Sequence, residues 1–223
     1  MYILNIHTAT ETAIVNLSAN GNVLETLIND EPKKHAAFLH IAINNLLQKQ
    51  QILSKDLNAI GVSSGPGSYT GIRVGLAAAK GLCYALGVPL ITYNSLELVA
   101  LTSIMELQDK DARYCPMIDA RRTEVYAAVY DYNLNELIAP SALIVSENSF
   151  KEAEQSNKIY FSGDGSQKFK ALTQNPNHIF RNSGVSSNSL AQISWEKFKR
   201  KEFENVFYSK PLYLKEFVQS SKL

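Results

Sequence analysis

Four groups of side chains in this sequence are of types that do chemistry, and for each the spacing decides which chemistry is open to it. The densest is the run Ser63-Ser64-Gly65-Pro66-Gly67-Ser68-Tyr69-Thr70-Gly71-Ile72-Arg73-Val74-Gly75. Its glycines permit backbone angles closed to other residues, Pro66 fixes one dihedral, and Ser68 or Thr70 can cap a helix beginning there. A helix start of this kind attracts anions. Gly65, Gly67, Ser68, Thr70, Gly71 and Arg73 are therefore candidate anion or nucleotide contacts. Neither familiar phosphate motif fits, because Gly71 is followed by Ile72-Arg73 where a P-loop needs Lys and Ser or Thr. The glycine pattern G-x-G-x-x-x-G is one residue too long for a dinucleotide fingerprint, and no acid ends the strand at Ile91-Thr92-Tyr93.

The second group is His35 and His40. Five residues apart, they stand about 140° from each other on a helix. A helical metal pair needs a spacing of three or four, so these read as surface or capping histidines and no metal ligand is assigned. The third group, Asp119, Arg121, Arg122 and Glu124, crowds one hairpin, where a general acid/base pair competes with the commoner turn salt bridge. The fourth is His7, at the end of the first strand. Gly65-Pro66-Gly67-Ser68 is not a G-x-S-x-G elbow, and no catalytic residue is assigned.

The elements that must position these groups follow from periodicity. Strands are expected at Tyr2 to His7, Thr12 to Leu17 and Val23 to Ile28, the last two joined by an Asn20-Gly21 turn. A helix is expected over Lys34 to Gln50, with Leu39, Ala42, Ile43, Leu46 and Leu47 on its core face and Ala37, Phe38 and Ile41 off it. Then come a strand at Leu57 to Val62, a helix to Leu86, a strand at Pro89 to Tyr93 and a helix over Ser95 to Glu106. The helix ending at Leu86 is apolar on two sides. Ile72, Gly75, Leu76, Ala79, Leu82, Cys83 and Leu86 make a core face, while Val74, Ala77, Ala78, Gly81 and Ala85 make a seam of small residues that lets another helix approach closely, either within this chain or outside it.

The polar run Glu106 to Asp111 divides the chain into residues 1–106 and 107–223. The second part opens with strands at Arg113 to Ile118 and Val125 to Tyr130, has a weak helix over Asn148 to Gln155, a strand at Lys158 to Phe161 and a helix over Ser189 to Lys201. Each half thus begins with a hairpin followed by helices and strands. The tail from Pro211 needs cover for Leu212, Tyr213 and Leu214 and is expected to pack back on the first half.

Composition is that of a folded globular protein, with 223 residues, 45% hydrophobic, 19% charged and a net charge of +1. That balance excludes a general affinity for polyanions. The two cysteines, Cys83 and Cys115, lie in apolar segments without redox or metal spacing, and no signal peptide or spanning segment is visible, which suggests a cytoplasmic protein.

The opening strand, hydroxyl-rich loop Thr8 to Thr12 and hairpin resemble the phosphate-binding start of the actin-like ATPase fold, α/β with two lobes of mixed sheet flanked by helices. In that fold the first strand ends in an aspartate that works with magnesium. Here it ends in His7, which cannot supply the hard anionic oxygen that magnesium prefers. More narrowly, Ile6-His7-Thr8-Ala9-Thr10, the run Ser64 to Gly75, and Asp119-Ala120-Arg121-Arg122-Thr123-Glu124-Val125-Tyr126 resemble the TsaB (YeaZ) family, with weaker matches at Gly163-Asp164-Gly165 and Pro211-Leu212-Tyr213-Leu214.

The resemblance implies a non-catalytic scaffold that pairs with the related TsaD transferase in forming threonylcarbamoyladenosine next to the tRNA anticodon. It implies Lys34, Ala37, Phe38, Ile41 and Asn45 of one helix, and Val74, Ala77, Ala78, Gly81 and Ala85 of the other, as the partner interface. A TsaE-type ATPase in the same complex, a homodimer when the partner is absent, and tRNA contact only through the complex are further implications. No intrinsic cofactor is implied, and a nucleotide at the subunit junction is left open. The rival readings are an actin-like phosphohydrolase or phosphotransferase, which magnesium-dependent turnover would support, and a metallopeptidase, which would have to bind zinc.

Overall fold

The strand Tyr2–His7 (β1) is buried along its length after Tyr2, so it must be covered on both faces. In the computed structural model, which describes residues 1–155 and 158–215, β1 is the centre of a five-stranded sheet. Its neighbours are β2 (Ala13–Ala19), β3 (Asn22–Asn29), β4 (Leu57–Gly65) and β5 (Leu90–Asn94), in the order β3-β2-β1-β4-β5. β1 runs antiparallel to β2, with Leu4 opposite Leu17, and parallel to β4, with Ile6 beside Val62. Asn20 and Gly21 both take positive φ (50° and 83°), as a two-residue primed hairpin turn requires.

A second sheet repeats the plan. It comprises β6 (Arg113–Asp119), β7 (Glu124–Tyr130), β8 (Glu136–Ile144), β9 (Ile159–Ser162) and β10 (His178–Phe180), in the order β10-β9-β6-β7-β8. Read from its other edge, the order of connection is that of the first sheet. β8 and β10 are not visible in the periodicity. β8 contains Pro140 and sits at a sheet edge, where a proline costs no ladder bond, and β10 is only three residues long. The weak helix expected over Asn148 to Gln155 is a 3-10 turn at Lys151–Gln155.

α1 (His35–Lys49) follows a 3-10 turn at Pro32–Lys34, and α2 (Tyr69–Leu86) is capped by Ser68, whose Oγ accepts the Gly71 amide. Gly87, at φ 67°, ends α2 in the left-handed conformation that closes many helices. Leu39, Ala42, Ile43 and Leu46 of α1 and Leu76, Ala79 and Cys83 of α2 cover one face of the first sheet.

The other face is shared. α3 (Ser95–Leu107) lies between the two sheets and is apolar around most of its circumference. Its Leu98 and Leu101 pack with Ile3, Ile91 and Tyr93, while Leu96, Ala100 and Ile104 pack with Tyr114, Ile118 and Tyr130 of the second sheet. α5 (Ser187–Arg200), although it comes from the second half of the sequence, sets Leu190 and Ile193 against the first sheet. A short α4 (Ser166–Lys170) completes the second half. The run Glu106 to Asp111 takes in the last two residues of α3 and the connection toward β6, and is tied to the second sheet. The Asp109 carboxylate accepts Lys158 Nζ and Tyr160 OH, each at 3.1 Å, and its carbonyl accepts Tyr114 OH at 2.8 Å.

Between α5 and the first sheet lies a buried polar network. Asn5 donates to Asn16 Oδ1 (2.8 Å), Tyr93 OH donates to Asn5 Oδ1 (3.3 Å), and Asn16 donates to the Ser187 carbonyl (2.8 Å). Gly61 makes room for it, because a Cβ there would stand 2.6 Å from Asn5 Oδ1 and 2.7 Å from Tyr93 OH. Gly61→Ala is therefore expected to lower stability by roughly 1–3 kcal/mol, the usual cost of overpacking a core. Denaturant unfolding would show it as a lower midpoint at unchanged slope.

Candidate functional site

Four chain segments meet where the two sheets face each other: the loop after β1, the turn after β4, the β6–β7 hairpin and the turn after β9. They enclose two adjoining cavities of about 340 and 360 Å³ that share Thr10, Glu11, Ile118 and Asp164 as lining.

His7 sits at the floor of the first segment, fully buried. Thr10 donates its hydroxyl proton to the Thr12 carbonyl (3.1 Å), so it must accept from His7 Nε2–H (2.9 Å). That leaves His7 Nδ1 to accept from Ser63 Oγ–H, at 2.5 Å. Burial, with a further contribution from the neighbouring His35, lowers the His7 pKa to about 3, so the ring is neutral and both nitrogens are engaged.

His35 is buried, against the expectation of a surface or capping residue. Its Nε2 donates to the Thr10 carbonyl (3.1 Å), and its Nδ1 accepts from Asn29 Nδ2 (2.9 Å). Two histidines thus hold Thr10, one at its hydroxyl and one at its backbone, while His40 is exposed. Among the described residues, no three of His, Cys, Asp and Glu are grouped to hold a metal ion.

The glycine run is pressed between two backbones. A Cβ on Gly67 would lie 2.1 Å from the Ala9 carbonyl oxygen, and one on Gly71 would lie 1.9 Å from that of Thr8. On the other side, a Cβ on Gly65 would lie 2.7 Å from the Leu212 carbonyl oxygen. Of the candidate anion contacts, Gly67, Ser68 and Thr70 line the cleft, but the Ser68 amide is already bonded to the Ala9 carbonyl (2.7 Å). Arg73 is held elsewhere, its Nε donating to Tyr213 OH (2.8 Å) and its guanidinium lying 3.8 Å above the Tyr69 ring.

The carboxylates of the β6–β7 hairpin do not pair with the hairpin's own arginines. Asp119 pairs with Lys168 (2.7 Å) and Glu124 with Lys215, residues far along the chain. Burial pushes Asp119 up, but Lys168 and the Arg121 amide hold it below the usual carboxylate range. Asp164 is shifted upward by burial and by the nearby Asp119 and Glu11 charges. The imidazole of His7 stands where the fold's first-strand carboxylate would, and cannot itself supply the hard anionic oxygen that magnesium prefers, while Glu11, Asp119 and Asp164 line the cleft.

The outer face of α1 and α2 is the other candidate surface. Val74, Ala78 and Phe38 are half-buried and pack on the core beneath the two helices. Lys34, Ala37, Ile41, Asn45, Ala77, Gly81 and Ala85 are exposed, and a Cβ on Gly81 would meet no atom within 4 Å. The small-residue seam is thus closed by α1 along one edge and open along the other.

Two sheets of one topology, with the last helix of each half in a shared middle layer, define the actin-like ATPase fold, here without its magnesium-binding carboxylate. A family model described as "TsaD: tRNA N6-adenosine threonylcarbamoyltransferase" matches residues 25–220, and the chain belongs to that family, on its TsaB (YeaZ) branch. It is 29% identical over 177 residues to the "tRNA threonylcarbamoyladenosine biosynthesis protein TsaB" of Bacillus subtilis, covering 78% of this chain and 76% of that one. The Escherichia coli protein of the same name is 27% identical over 230 residues, covering 100% of this chain and 98% of its own. The tRNA N6-adenosine threonylcarbamoyltransferase of Clostridium kluyveri is 25% identical over 78% of this chain, but the match spans only 55% of that enzyme. In fold the chain is similar to YeaZ from Pseudomonas aeruginosa, with a TM-score of 0.81 at 23% identity over 96% of this chain and 99% of that one.

The buried neutral His7 has a pH signature. Its folded pKa of about 3 lies below the ordinary value of 6.5, so the unfolded chain binds the proton first. Stability is then complete above pH ~6.5 and is lost as pH falls from there toward ~3. Replacing His7 with Asn is expected to flatten this limb by up to one proton, about 1.4 kcal/mol per pH unit. Denaturant unfolding of both proteins between pH 6 and pH 4 checks it, and parallel slopes would refute it.

Proposed function

We propose that this chain takes part in forming threonylcarbamoyladenosine in tRNA as a non-catalytic subunit, pairing with the related TsaD-type transferase through α1 and α2. The name shared by its relatives supports the pathway. The observation that supports pairing is Gly81, an exposed glycine in mid-helix with open space around it. Such a glycine costs roughly 0.5–1 kcal/mol relative to alanine, and nothing inside the chain requires it. A helix from outside, approaching over Ala77, Gly81 and Ala85, does.

The cleft supports the non-catalytic part of the reading. His7 and His35 spend their nitrogens on Ser63, Thr10 and Asn29, Asp119 pairs with Lys168, and Asp164 accepts the Asp119 amide. In this reading a TsaE-type ATPase joins the same assembly, tRNA is reached only through the complex, and a second copy of the chain takes the face when the transferase is absent. Among the described residues, no helix is long and apolar enough to cross a membrane.

Position 81 tests the reading better than Ala78, whose partial burial on the core would mix folding with binding. Gly81→Ala is expected to raise the stability of the isolated chain by up to about 1 kcal/mol and to weaken pairing. Gly81→Arg should leave thermal unfolding of the isolated chain unchanged and weaken pairing at least about tenfold, some 1.4 kcal/mol. Calorimetric titration against the purified transferase measures both, and two variants that pair as the unaltered chain does would overturn the assignment.

A further inference from the structure

The described segment after α5, residues 202–215, returns over the first sheet as a strap. The Glu204 amide donates to the Leu90 carbonyl (2.8 Å) at the edge of β5, and the Leu212 amide donates to the Ser64 carbonyl (2.7 Å). Between these points Lys80 of α2 reaches out and donates to the carbonyls of Phe207 (3.2 Å) and Ser209 (3.1 Å). The strap is therefore pinned along α2, yet its rings are not put away. Phe207 and Tyr208 are 71% and 78% exposed, and Tyr84 of α2, which the Phe207 ring meets edge-on at 5.9 Å, is 72% exposed. A ring fixed in place and left in water forgoes most of the apolar burial that aromatic side chains normally supply.

Tyr84 stands on the helix that carries Ala77, Gly81 and Ala85, and the Phe207 ring lies against it. The geometry is a floor of small side chains with an aromatic wall, which suits the flank of a helix lying close to the floor. Charge narrows the occupant. Of the cations on α1 and α2, Lys49 pairs with Glu25, while Lys80 and Arg73 turn to neutral groups on the strap side of α2, Lys80 to the two strap carbonyls and Arg73 to Tyr213 and Tyr69. Lys34, just before α1, pairs with Glu31. The floor of Ala77, Gly81 and Ala85 itself carries no charged side chain, and an uncharged floor of this kind favours an apolar protein segment.

We propose that the strap forms one wall of the docking groove, with Tyr84 and Phe207 gripping the flank of an apolar helix of the transferase that crosses over Gly81, and with Lys80 as the positioning residue that holds the wall in place. This rests on the pairing proposed above and adds a part of the surface contributed by the far end of the chain. The related transferase is its natural occupant, since the family model described for that transferase matches residues 25–220 of this chain, a range that includes both α1 and α2, and so points to a like pair of helices to offer in return.

The test uses the full chain and the purified transferase, with Phe207→Ala and Lys80→Met as wall variants and Gly81→Arg as the variant of the floor. Phe207→Ala is expected to weaken pairing about 10- to 100-fold at unchanged thermal unfolding. Lys80→Met should weaken it less and raise amide exchange at residues 205–209. Pairing of the unaltered chain should change less than about threefold between 50 and 500 mM salt. If Gly81→Arg abolishes pairing while Phe207→Ala leaves it intact, the wall is refuted and the pairing face survives. If Phe207→Ala disrupts only self-association, or only tRNA binding by the assembled complex, the wall belongs to a second copy or to RNA and the proposal fails. If neither variant affects pairing, the wall fails together with the face.

Discussion

The structure depends on a direct backbone contact between the loop after β1 and the first turns of α2. Thr8 Oγ1 donates to the Gly71 carbonyl (2.7 Å), and the Ser68 amide donates to the Ala9 carbonyl (2.7 Å). Only glycine tolerates this approach, because a Cβ at 67, 71 or 75 would stand between 1.9 and 2.4 Å from atoms of Thr8 or Ala9. The contact sets the height of α2 above the first sheet. It therefore fixes both surfaces the helix borders: inward, the rim of the cleft, and outward, the face that ends at Gly81 and Ala85. Thr10, two residues further along the same loop, is held by His7 and His35, so the polar contacts around it and the glycine contact fix one another.

This contact also explains how much of the site the sequence could convey. A glycine that makes room for a phosphate and one that makes room for a carbonyl look alike as letters, since both positions only require that a side chain be missing. The run around Gly67 is legible as a tight turn and a helix start, but not what lies against it. The elements were clearer where a periodic stripe was long. β1 has the expected limits, and α2 starts one residue after its cap. The two unforeseen strands fail for local reasons, Pro140 in β8 and the brevity of β10. The buried state of His35 was in principle readable, since it lies four residues before Leu39 on the stripe of Leu39, Ala42 and Leu46 that faces the core. The partners of Asp119 and Glu124 were not. Lys168 and Lys215 are brought to the hairpin by tertiary packing over separations that no local pattern encodes.

The shared middle layer limits what the two halves can do independently. α3 is buried against both sheets, and α5 joins the network of Asn5, Asn16 and Tyr93 through the Ser187 carbonyl. In an actin-like fold the cleft between the lobes is where ligand chemistry and lobe motion meet. Here the polar run at Asp109 is tied to the second sheet through Tyr114, Lys158 and Tyr160, and Lys215 of the strap reaches Glu124 of the second sheet. The lobes are joined by a helical layer, a pinned connector and a strap, with carboxylates lining the opening between them.

His7 reads differently from the two sides of α2. On the cleft side, the buried neutral imidazole of His7, bonded to Ser63 and Thr10, stabilises the loop it sits under. That loop presses on Gly67 and Gly71, and so holds α2 at a fixed height whether or not anything occupies the cleft. On the outer side, a helix held rigidly from below can carry a glycine and two alanines at its surface without deforming, and a rigid surface loses less conformational freedom when a partner docks. Histidine at the end of β1 thus bears on both faces of α2, through the loop that it holds from below.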